Sequence, residues 1–201
     1  MTNRDEEKRR RKRIRDRNYR FRKLSPEKKR VRVAKDVIDQ LQAGTLLAGH
    51  HGYLNLGDVR NHWPPADLPH KFRDLAKGVL YMYRERADVN LTEVFDEVKC
   101  TVCGIGACFV AAVRRNDQVT VGDLVHWGND GFMREYLSAW FSREQLAMIE
   151  AAFEKSLNFN LSGNRQRREQ AVKFGLRFDD PTERLIAIMQ NIIDNGGTFV
   201  P

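Results

Sequence analysis

The chain has 201 residues, 41% of them hydrophobic and 31% charged, with 35 Lys and Arg against 27 Asp and Glu. That is enough apolar material for one cored domain and too much for wholesale disorder; no run approaches the roughly 18 apolar residues of a membrane helix, and the charged start argues against a secretory signal. Three crowded cysteines, Cys100, Cys103 and Cys108, fit a reducing compartment better than a disulfide framework.

The charge is uneven. Residues 1–33 hold sixteen of the Lys and Arg and five of the Asp and Glu, a net of +11, which leaves residues 34–201 at −3. The pattern predicts a basic interaction arm over residues 1–24, disordered or a nascent helix, on a mildly acidic helical domain over residues 25–201. The arm lacks Pro and Gly before Pro26, and Asn3, Asp5, Glu6 and Glu7 suit a helix start. It shows no apolar stripe, so the expectation is a segment that firms up against a polyanion and offers no apolar face to the core. Lys8, Arg9, Arg10, Arg11, Lys12, Arg13, Arg15, Arg17, Arg20, Arg22 and Lys23 are placed to neutralise phosphates, and Tyr19 and Phe21 to stack on bases. The competing reading has both rings anchoring the arm to the body. Over about twenty positions the segment resembles the arginine-rich RNA-binding peptides of phage antiterminators.

Ser25-Pro26 opens a predicted helix whose apolar face is Ala34, Val37, Ile38 and Leu41, ended by Gly44. Residues 44–67 read as irregular, with a short strand or an extended edge at Tyr53-Leu54-Asn55-Leu56. Helical spacing resumes at Phe72, Leu75, Val79, Leu80 and Tyr83, and Asn90 introduces a helix running to Val98. The apolar run Cys100–Val113 predicts a buried central helix, although Gly104 and Gly106 each disfavour one by about 1 kcal/mol. A turn or short helix at Asp123–Trp127 precedes an aromatic-rich helical face of Phe132, Tyr136, Leu137, Trp140 and Phe141. Ser142-Arg143-Glu144-Gln145 has the pattern of a capping box ahead of Leu146, Ile149, Ala152 and Phe153. Residues 157–178 are polar and weakly periodic, with a second basic cluster at Arg165, Arg167 and Arg168. Asp180-Pro181 starts a last helix on Leu185, Ile188, Met189, Ile192 and Ile193, closed by Asn195-Gly196-Gly197. The whole predicts a mainly α, single globular multi-helix domain.

Chemistry is sparse. Cys100-Thr101-Val102-Cys103 supplies half of a zinc site, and Cys108 a third thiolate, but no partner among His50, His51, His62, His70 and His126 falls at a familiar spacing. Deaminase, thioredoxin and haem-attachment contexts are absent, so these cysteines read as small core residues, with metal binding the lesser alternative. His50-His51 reads as an exposed loop pair. Gly104-Ile105-Gly106 has neither the third glycine nor the surroundings of a dinucleotide site. No catalytic constellation emerges, and no cofactor is expected.

Three segments together resemble a group of small proteins of tailed bacteriophages and prophages: Cys100-Thr101-Val102-Cys103-Gly104-Ile105-Gly106-Ala107, Phe141–Glu154 and Met189–Phe199. The resemblance covers roughly residues 31–199, leaves out the arm, and implies a viral gene acting in the host cytoplasm, with no activity or ligand attached. The expected function is nucleic-acid binding without catalysis, through the arm. A phage protein that binds a host defence or transcription component is the alternative, and a Cys/His metal or small-ligand protein the second. No membrane partner is expected.

Overall fold

The computed structural model describes residues 3–50, 53–56, 90–116, 119–120, 123, 129–157 and 164–201. Among them are eight helices and a small sheet: α1 (Asn3–Arg22), α2 (Pro26–Gln42), β1 (Leu46–Ala48), β2 (Leu54–Leu56), α3 (Leu91–Glu97), β3 (Cys100–Val102), α4 (Gly104–Asn116), α5 (Asn129–Ser138), α6 (Arg143–Glu154), α7 (Arg165–Gly175) and α8 (Pro181–Asp194). The chain is mainly helical, as its periodicity predicts. The helical spacing at residues 72–83 and the turn ending at Trp127 lie outside the described residues, apart from Asp123.

Local chemistry sets most helix ends. Ser25, Asn90, Ser142, Asn164 and Asp180 each accept a hydrogen bond from a first-turn amide, and Pro26 and Pro181 occupy first helical positions. Gly44 and Gly197 have φ of +67° and +103° after α2 and α8. A Cβ on Gly197 would lie 2.5 Å from the Glu27 carbonyl oxygen, so only glycine lets the chain end pass over the start of α2. Arg30 fastens that crossing by donating to the carbonyls of Gly197 and Trp140.

The apolar run at residues 100–113 divides in two, which corrects the expectation of one continuous helix. Cys100–Val102 is the central strand, parallel to β1 and antiparallel to β2. Only from Gly104 does the backbone turn helical, and residues 104–113 of α4 are all buried. Gly106 explains the tolerance of glycine here, since a Cβ would collide with the Tyr53 carbonyl oxygen at 1.5 Å. Its helix-propensity penalty is the cost of laying α4 against β2.

Around α4 the core is aromatic. Phe109 meets Phe95, Phe132 and Tyr136 edge to face at centroid distances of 6.3, 6.0 and 5.5 Å. Buried Leu185, Ile188, Met189 and Ile192 line the inner face of α8, which packs on α2 and α6. The polar stretch at 157–178 also yields more order than its pattern suggests: α7 lies along α6, where Gly175 comes so close to Ala152 that a Cβ would stand 1.8 Å from its carbonyl oxygen.

Candidate nucleic-acid interface

Ile14, Asn18 and Phe21 recur at spacings of four and three on α1 and form the face it turns to the body. Asn18 is 2% exposed, and with its amide turned so that the nitrogen rather than the oxygen faces these acceptors it donates to the carbonyls of Arg115 (2.9 Å) and Ile14 (3.2 Å). Arg17 donates through Nη2 to the Arg114 carbonyl. Arg114 and Arg115 belong to the last turn of α4, whose final carbonyls have no partner within their own helix and carry partial negative charge. One amide and one guanidinium of α1 satisfy them. Beside this junction Phe21 is 3% exposed, its ring edge-on to Trp140 at 5.4 Å.

This corrects two expectations. The segment does offer the core a face, and Phe21 is fixed within the core rather than free to stack on a base. Of the two interleaved aromatics only Tyr19 points outward, 60% exposed, with Lys23 Nζ 5.6 Å from its ring centroid. Arg17 is likewise half-buried and occupied, and desolvation followed by the neighbouring Arg115 charge lowers its pKa.

On the other faces of α1 the side chains of Lys8, Arg9, Lys12, Arg13, Arg15, Arg20 and Arg22 are exposed, as is Lys23 just past its end. The side chains of Arg10 and Arg11 lie outside the described residues. Between α1 and α2 opens a cleft of about 450 Å³, lined by Arg13, Arg17, Arg20, Arg32 and Arg115, with Asp16 as the one carboxylate and Phe21 and Leu24 as its apolar part. Behind it lies a buried network in which Arg115 pairs with Asp36, whose other oxygen accepts from Gln40 Nε2 at 2.8 Å.

The second basic cluster is tempered by partners. Arg165 pairs with Glu169 (3.0 Å) within α7, and Arg167 with Glu144 (3.3 Å) on α6. Arg167 therefore bridges two helices at the surface, and this patch presents less uncompensated charge than its sequence suggests.

The three thiols are all buried, and burial pushes each up to about 12, so they stay protonated at neutral pH. No group of three or more His, Cys, Asp or Glu side chains among the described residues could hold a metal ion. His50 is exposed, as its sequence suggests, but both of its ring nitrogens are engaged. Arg184 is 0% exposed and donates to the carbonyls of Phe153 (2.8 Å), Phe178 (2.9 Å) and Asp179 (2.8 Å), and to His50 Nε2 (3.1 Å). Because guanidinium only donates, His50 Nε2 accepts, and its Nδ1 proton faces Glu154 Oε2 at 3.1 Å. A neighbouring trio joins Tyr53, Arg134 and buried Glu150: the Tyr53 hydroxyl donates to Glu150 (2.7 Å) and accepts from Arg134 (2.8 Å). His51 lies outside the described residues.

Sequence reading missed Asn18, Arg32, Asp36 and Arg115. One signal was present, since Asp36 and Gln40 interrupt the apolar side of a helix containing Val33, Ala34 and Val37, where a buried acid needs a cation. No known protein family, curated protein or solved structure matches this chain. Among the described residues no helix is long and apolar enough to cross a membrane.

Proposed function

We propose that the protein binds nucleic acid through the outward faces of α1, acting by binding rather than catalysis. The observation that carries this is the division of labour on one helix. Asn18, Phe21 and Arg17 hold α1 on the body, while Lys8, Lys12, Arg13, Arg15, Arg20 and Lys23 stand exposed beside the outward ring of Tyr19. Arginine and lysine in that array suit phosphates, and an exposed ring among them suits a base of a single strand. A helix fixed at its C-terminal half presents these charges with less ordering cost than a free arm. The occupied His50 ring and the protonated thiols support binding over nucleophilic chemistry. The setting proposed, a phage gene product in the host cytoplasm, rests on the three-segment resemblance.

Fluorescence anisotropy with labelled single-stranded RNA, single-stranded DNA and duplex DNA, each titrated across salt, tests this reading. About six phosphate contacts predict slopes of log K against log salt near −4 on single strands and −5 on duplex. A flat salt response, or a partner captured from infected cells that survives nuclease treatment, favours binding to a host protein instead.

A further inference from the structure

We propose that the cleft between α1 and α2 is a binding site for a phosphoryl oxyanion, held among Arg13, Arg17, Arg20, Arg32 and Arg115. The site rests on its own geometry, and on the nucleic-acid reading only for the source of the phosphate. Its volume of about 450 Å³ lies within the range of small-ligand sites, roughly 300–1,000 Å³. Five guanidinium groups line it against the single carboxylate of Asp16. The guanidinium groups of Arg13, Arg20 and Arg32 make no ion pair or hydrogen bond among the described residues.

The second observation is at the inner wall. Arg115 is 8% exposed, and its Nε has no hydrogen-bond partner among the described residues, although its Nη2 pairs with Asp36. Buried donors without partners are rare because an unmade bond carries the full desolvation cost, and this one belongs to a side chain that lines the cationic cleft. The neighbouring Arg17 is destabilised as a cation by burial and by Arg115, a strain that an anion relieves. Guanidinium groups present parallel N–H pairs that match the oxygens of a phosphoryl group, which distinguishes this wall from a diffuse lysine patch.

The test titrates inorganic phosphate into the full chain at fixed ionic strength, followed by calorimetry and thermal denaturation. Saturable binding and a melting temperature that rises with phosphate are expected. Arg13→Gln with Arg32→Gln removes two exposed cleft cations that hold no structural bond, and should weaken phosphate at least about tenfold. Lys8→Gln with Lys12→Gln removes equal charge outside the cleft and should change it less than about twofold. A second arm compares one oligonucleotide carrying a 5′-phosphate or a 5′-hydroxyl. If only the phosphorylated form loses affinity in the Arg13/Arg32 variant, the cleft takes a strand end; if both lose it equally, the cleft takes a phosphate within the strand. Absence of saturable phosphate binding, or equal losses from the two variant pairs, overturns the proposal. Phosphate binding without oligonucleotide binding upholds the cleft and refutes the nucleic-acid reading. Oligonucleotide binding without phosphate binding does the reverse.

Discussion

Helices α1 and α8 join the same body by opposite means. Helix α8 buries a stripe of Leu185, Ile188, Met189 and Ile192, and full burial of such side chains contributes about 1.5–3 kcal/mol each. Helix α1 buries one ring and one amide, and its polar bonds run to the open carbonyl end of α4. Net contributions of such bonds are about 1 kcal/mol apiece, so α1 is held more lightly. What it gains is freedom of surface: a stripe commits one whole side of a helix, whereas docking at one end leaves the remainder for charge. The comparison teaches that a helix without an amphipathic pattern can still be oriented, provided that another helix offers it unpaired carbonyls.

The largest effect is expected on the α8 side. Arg184→Met leaves the carbonyls of Phe153, Phe178 and Asp179 without their donor, and urea denaturation should show a loss of about 3–5 kcal/mol. Phe21→Ala is the matching cut at α1 and should cost about 3 kcal/mol by the same measurement. A loss below about 0.5 kcal/mol would show that α1 is not held by its ring. Asn18→Ala should cost about 1 kcal/mol, the worth of its bond to the Arg115 carbonyl.

A pH signature separates the two attachments. Burial raises the Glu154 carboxyl above its ordinary 4.5, against the opposing pull of His50 and Arg184. An acid with a raised pKa binds its proton more tightly when folded than when unfolded, so its contribution to stability falls as pH climbs above about 4.5. Glu154→Gln should therefore flatten the melting temperature over that interval, while Asn18→Ala should leave its slope unchanged.

Most helices were legible because their signals are local. Ser25-Pro26, Asn90 and Asp180-Pro181 mark starts that the structure uses, and the α8 stripe sits where its spacing places it. Ser142 caps α6 as expected, but only half of the box forms: the Gln145 side chain turns instead to the backbone N–H (2.6 Å) and carbonyl (3.2 Å) of Phe199. That partner is 54 residues away, beyond any local rule. The strand at Cys100–Val102 was hidden for a similar reason, since a fully buried run of three residues carries no period and its pairing with Leu46–Ala48 is decided by tertiary contact. At the candidate site the sequence showed which residues are basic but not which are committed. Arg17 and Phe21 look like their neighbours in the run, and only the placement of the α4 carboxyl end and of Trp140 sets them apart.

The central claim is that the outward charges of α1 bind nucleic acid without supporting the fold, and four substitutions made together test it. Lys8, Lys12, Arg15 and Lys23 are exposed, and Gln matches their helix propensity closely. The fourfold Gln variant should melt as the parent does, while its salt slope in anisotropy becomes shallower by about 3, the share of four phosphate contacts. Unchanged affinity and slope on every nucleic acid tested, with the fold intact, would contradict the claim.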